Sequence, residues 1–150
     1  MIISGCGLRE GLFFDYYSKS ENMPLIAPDI LDRSTQNILT LYTPDTTHSK
    51  HITELALTMF DALKDLHKLD KDYRKLLKTA ALLHDIGITI NFYSHARHSA
   101  YMIQNAQIFG LSHREQLITS AIAGWHNGIS KNYFRDRNYK ELLNENHWQD

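Results

Sequence analysis

Apolar residues recur at spacings of three and four along most of the chain beyond residue 29, which is the period of amphipathic helices. In "PDILDRSTQNILTLY", Ile30, Leu31, Ser34, Ile38 and Leu41 share one side of a first helix. The turn "TPDTT" ends it, and Thr47 suits the N-cap of the next helix. That helix is predicted from about His48 to Leu66, with a stripe of Ile52, Leu55, Ala56, Met59, Phe60 and Leu63. After "KLDKD", Tyr73, Leu76, Leu77, Ala80, Ala81 and Leu83 predict a third helix, with Gly87 as its stop. "ITINFYS" reads as a loop. A further helix is predicted over Ala96 to Gln107, with Gly110 beyond it. "SHRE", residues 112 to 115, has the form of a capping box. It opens a helix carrying Leu117, Ile118, Ala121 and Ile122 and ending near Trp125 to Gly128. In the polar tail a last short helix is predicted around Tyr139 to Leu143. Pro24, Pro28 and Pro44 all lie in the first third, so nothing but glycine interrupts helices afterwards. The fold class expected is all-α.

The opening "MIISGCGLREGLFFDYY" has a different texture. Ile2 and Ile3 before a Gly-rich turn read as a short strand, and Leu8, Leu12 and Phe13 as a short helix. A lone strand cannot satisfy its own backbone groups. This piece is therefore expected to be a remnant of something larger or to pair with a partner.

The 150 residues suit one domain, with 43% hydrophobic and 22% charged residues and a net charge of −1. Such a balance gives no reason to expect DNA or an anionic membrane as partner. No apolar run has the length of a membrane span, and no signal peptide is visible. Cys6 is the sole cysteine, so a reducing cytoplasm is the simplest setting. The compositional oddity is nine histidines.

The sharpest local signal is "AALLHDIGI", residues 80 to 88, where His84 and Asp85 follow directly on an apolar helix end. A charged carboxylate against hydrocarbon is costly without a partner, and a divalent cation is one partner that would serve. Neutral imidazole and carboxylate suit Mn, Fe, Co, Ni and Zn. His48, His98 and His126 also sit at helix ends, which a bundle could gather at one pole. The pair has a bland reading as well: His84 bonding a backbone carbonyl and Asp85 capping a neighbouring helix. The same holds for "HARH", where His95 and Arg97 flank His98 and either hold phosphate or form a solvated loop. His67, His113 and His147 read as surface residues, and Tyr93, Tyr101 and Trp125 as core or pocket walls.

"HSKHITELA" (48–56) followed by "LLHDIG" (82–87) resembles the HD superfamily of metal-dependent phosphohydrolases. The resemblance implies His48, His84 and Asp85 as metal ligands. Members with two metals use two further histidines, for which His98 in "HSAYMI" and His126 in "AGWHNG" stand in corresponding order. The family's late Asp ligand has no counterpart in an apolar helix, Asp136 and Asp150 being the late aspartates; a domain truncated at its C-terminus would show this. Ile88 replaces the Lys of members that cleave cyclic dinucleotides, which weighs against that activity. "SGCGLREGLFFDYY" together with "LLHDIG…HARHSAYMIQNAQIFGLSHRE…AGWHN" is similar to the exopolyphosphatase/guanosine-pentaphosphate phosphohydrolase (Ppx/GppA) family. There "GLREGL" belongs to the end of an actin-like phosphatase half, and an HD-like helical domain follows. The resemblance implies that residues 1–20 are a remnant of that half, 21–28 a linker and 29–150 an HD-type helical domain. The family's polyphosphate chemistry is assigned to the actin-like half, whose phosphate loops and catalytic carboxylate this chain does not contain.

Two functions are thus in view. The first is a metal-dependent phosphohydrolase in which an ion at His48, His84 and Asp85 polarises a phosphoryl oxygen, with Asp85, Arg97 and His98 as candidate catalytic groups. Its cofactor would be a divalent ion (Mn, Fe, Zn, Ni, Co or Mg), and its partner a phosphorylated small molecule, nucleotide or polyphosphate. The second is a non-catalytic regulatory or dimerising module with a vestigial metal site.

Overall fold

The computed structural model describes residues 30–43 and 45–128, together with Leu12 and Tyr16. The chain divides into two compact units, Met1–Ile30 and Leu31–Asp150. Apart from Leu12, Tyr16 and Ile30, the described residues belong to the second unit. The expected N-terminal strand and remnant, the linker and the short helix at 139–143 lie outside the described residues.

Six α-helices build this part of the chain: α1 (Ile30–Tyr42), α2 (Thr47–Ala62), the single turn α3 (Lys64–His67), α4 (Lys71–Leu83), α5 (His95–Asn105) and α6 (His113–Trp125). A 3-10 turn, Ile86–Thr89, joins α4 towards α5, and no strand occurs among the described residues. The all-α class is therefore correct. α2 packs on α4, α4 on α6, α5 on α6, and the 3-10 turn on α5.

Leu39, Ala80, Leu83, Ile86, Ile103, Ile108 and Ala123 form the core. Between the helices lie small hydroxyl residues, Ser49, Thr53, Thr79, Ser99, Thr119 and Ser120, all buried. Most return their hydroxyl to their own helix: Thr53 Oγ1 donates to Ser49 O at 2.7 Å, and Thr119 Oγ1 to Glu115 O at 2.8 Å. That satisfies the buried hydroxyls and leaves short side chains at the contact, so helix axes can approach closely.

This packing overturns part of the apolar stripe expected on α2. Its buried positions are Ser49 and Thr53, whereas Leu55, Met59 and Leu63 are exposed. Likewise Leu41 of α1 faces water, and Leu39 is the residue that enters the core. α2 also stops at Ala62, short of Leu66, and its N-cap is Thr46, one residue before the Thr47 expected. The α3 turn then closes on Lys68 in the left-handed region, at φ 52°. His67 is no plain surface residue here. Its ring stacks on Phe60 with centroids 4.2 Å apart, donates from Nε2 to Phe60 O at 2.8 Å and accepts Leu69 N–H at Nδ1.

Between elements the fastenings are polar. Arg74 forms two bonds of 2.8 Å to Asp61, tying α4 to α2, and Gln116 Nε2 of α6 donates to Ile103 O and Ala106 O, closing the end of α5. α5 ends at Asn105, two residues before the expected Gln107. The capping box at Ser112 forms as expected: Ser112 Oγ accepts Glu115 N–H, and Glu115 Oε2 accepts Ser112 N–H at 2.8 Å.

Glu115 also pairs with Lys75 at 2.8 Å, and this ammonium, with the Ser112 bonds, holds its carboxyl down at about 2. A carboxyl lowered from 4.5 stabilises the fold fully above its ordinary value and loses that contribution as pH falls towards 2. Glu115→Ala is expected to cost about 1–2 kcal/mol at neutral pH, measured by urea unfolding. The gap to the parent protein should narrow as pH is lowered through that window; a constant gap would assign the loss to packing instead.

Candidate metal centre

Five side chains converge where four helices end. His48 lies in the first turn of α2, His84 caps the C-terminus of α4, His95 opens α5 and His126 caps the C-terminus of α6. Asp85 stands at their centre, between α4 and the 3-10 turn. Its Oδ2 is 3.1 Å from His84 Nε2 and 3.5 Å from His48 Nε2. Its Oδ1 is 3.3 Å from His95 Nε2 and 3.5 Å from His126 Nε2. Two ligand groups result, His48–His84–Asp85 and Asp85–His95–His126, each with its ligand atoms within 4.8 Å of one another. The aspartate is common to both.

One local device sets three of the imidazoles. Nδ1 of His84, His95 and His126 each contacts the carbonyl three residues back: Ala81 O at 2.8 Å, Phe92 O at 2.9 Å and Ala123 O at 2.6 Å. A carbonyl only accepts, so each Nδ1 carries the hydrogen. In the neutral ring Nε2 is then a bare lone pair, and all three point at Asp85. For His84 and His126 the carbonyl belongs to the last helical turn, where it lacks an intrahelical partner.

This arrangement gathers nitrogen and oxygen ligand atoms at one point. His95 Nε2 and His126 Nε2 lie 3.0 Å apart, so with both rings neutral and the hydrogen on Nδ1 two lone pairs face each other. Asp85 Oδ1 is buried and accepts no hydrogen bond. Burial holds the His84 imidazolium below its ordinary range, so a proton on that ring is disfavoured. Imidazole nitrogens and a carboxylate fit a borderline divalent ion, and the backbone bonds to Nδ1 are the outer contacts that commonly orient metal-bound histidines.

Of the residues read from the sequence as ligands, His48, His84, Asp85 and His126 meet; His98 joins neither group. His95 takes the place assigned to it. α5 begins at His95, which puts that ring beside Asp85, while His98 sits one turn further along, against Gly87. Two histidines three residues apart in "HARH" share one helix face, and nothing in the sequence separates them. Arg97, the other candidate, is exposed in the first turn of α5.

Gly87 does not end α4 as expected, since α4 stops at Leu83 and Gly87 lies within the 3-10 turn. A β-carbon there would stand 2.3 Å from His95 O and 2.4 Å from Ser99 N. Its own N–H donates to the buried Ser99 Oγ at 2.8 Å. Glycine is required because the turn carrying Asp85 touches the backbone of α5.

The model of the Ppx/GppA phosphatase domain III matches residues 30–148. The chain belongs to the Ppx/GppA family. It is 30% identical over 123 residues to a guanosine-5'-triphosphate,3'-diphosphate pyrophosphatase of Aeromonas salmonicida, covering 81% of this chain and 24% of that protein. A protein of the same name from Vibrio vulnificus is 31% identical over 124 residues, covering 82% of this chain and 24% of its own length. This Ppx/GppA chain thus spans about a quarter of the relatives it matches. No helix among its described residues is long and apolar enough to cross a membrane.

Gly87→Ala is expected to separate α5 from the 3-10 turn and to destabilise the fold by about 1–3 kcal/mol, read by thermal unfolding. An unfolding temperature equal to the parent's would show that the close approach of the turn to α5 is not needed.

Proposed function

We propose that this domain carries an HD-type divalent-metal centre, with Asp85 bridging two ligand groups, and acts on the phosphoryl group of a nucleotide or polyphosphate. The observation that supports it best is the orphaned Asp85 Oδ1 facing imidazole nitrogens whose hydrogens are all committed elsewhere. His48, His84 and Asp85 would hold one ion, and Asp85, His95 and His126 a second. Such ions lower the pKa of bound water and polarise a phosphoryl oxygen.

The protein's own part is positional. Backbone carbonyls fix the rings before substrate arrives, so little reorganisation is needed. His48 is the open side of the centre: its side chain is 62% exposed, against 8% for His84. A phosphate would approach from there, and His84 would face the core. The relatives' names describe a pyrophosphatase acting on a guanosine phosphate, which agrees with a phosphorylated nucleotide as partner.

A second reading has one observation in its favour. The match is to a single domain, and it covers 24% of each relative. A module that binds metal and regulates or dimerises, while a neighbouring domain hydrolyses, is consistent with that.

The purified chain is expected to take up about one to two divalent ions, counted by atomic emission. Asp85→Asn should abolish both sites, His95→Ala should remove only one, and His98→Ala should leave uptake intact. Bound metal should also raise the unfolding temperature. A metal-free chain, or one whose uptake ignores Asp85→Asn, rules the centre out. Metal uptake without hydrolysis of nucleotides or polyphosphate would select the regulatory module.

A further inference from the structure

Beside the centre two large aromatic side chains stand in water: Phe92 is 68% exposed and Tyr93 81%. Their rings meet edge to face, with centroids 6.0 Å apart at 82°. The Phe92 ring lies 5.9 Å from that of His95, tilted by 36°. Their segment is well fastened. Phe92 O accepts His95 Nδ1–H, Asn91 Oδ1 accepts Tyr93 N–H at 2.9 Å, and Asn91 N–H bonds Gly87 O at 3.2 Å. Backbone bonds therefore hold the rings out, although exposure of this much apolar surface contributes nothing to folding.

The His95 imidazole lies beside both the Phe92 ring and the Asp85 carboxylate. A nucleotide has matching parts in matching order: an anionic phosphate, a ribose as spacer and a flat base. The phosphate would suit the centre once it holds a divalent ion, and the base suits an aromatic face, where stacking is favourable for any base. Inorganic polyphosphate would use the first feature and leave the rings in water.

We propose that Phe92, steadied at its edge by Tyr93, is a stacking platform for the base of a nucleotide whose phosphate is held at the Asp85 centre. The platform rests on the metal-centre reading and gives that site a preference for phosphates that carry a base. Phe92 is a specificity determinant and not a ligand, since its contribution to the centre is a main-chain carbonyl that substitution leaves in place.

Calorimetric titration of the Mn-loaded chain with AMP, ribose 5-phosphate and tripolyphosphate tests this, with metal content counted on the same samples. AMP should bind about tenfold more tightly than ribose 5-phosphate. Phe92→Ala should bring AMP down to the level of ribose 5-phosphate while leaving ribose 5-phosphate, tripolyphosphate and metal content unchanged. Phe92→Trp should keep the preference. Equal binding of AMP and ribose 5-phosphate to a metal-loaded parent overturns the platform alone, as does a Phe92→Ala loss shared by all three ligands. A chain that takes up no metal overturns the centre and the platform with it.

Discussion

The arrangement around Asp85 depends on one contact made three times, an imidazole Nδ1–H donating to the backbone carbonyl three residues before it. Nε2 lone pairs from several imidazoles face one carboxylate, and two of them face each other at 3.0 Å. Folding brings these groups together at a cost in lost hydration. The cost is accepted because each of three rings is anchored from behind, by a carbonyl that the helix end or loop leaves free. The bland reading of His84, a bond to a backbone carbonyl, is thus true, and the same bond turns its Nε2 towards Asp85.

Helix ends are the natural place for this device. A terminal carbonyl lacks its intrahelical donor, and a histidine three residues later supplies one. Two ends meeting Asp85 are C-terminal, those of α4 and α6; two are N-terminal, those of α2 and α5. Their meeting requires close helix contacts, which the buried serines and threonines and Gly87 permit. A bulkier interface would have left the same ligands too far apart.

Family membership sharpens this picture without completing it. The Ppx/GppA match spans most of the chain, yet the whole relatives are some four times longer than the stretch they share with it. The centre and the exposed rings of Phe92 and Tyr93 therefore belong to one domain's worth of chemistry.

Helical periodicity, the capping box at Ser112 and the His84–Asp85 pair at an apolar helix end were legible in the sequence, because each is a local pattern of a few residues. The all-α class followed from the same patterns. The sequence did not reveal that α2 would bury Ser49 and Thr53 and leave Leu55 and Met59 exposed, since which face is covered depends on what packs there. Nor could it separate His95 from His98, which stand one turn apart on neighbouring positions of the same helix. The reason for Gly87 was likewise hidden, because its neighbour is the backbone of a helix that begins eight residues later. Residue order alone determined the helices and the supply of histidines beside an aspartate; tertiary structure decided which of them meet, because that depends on where helix ends stop in space.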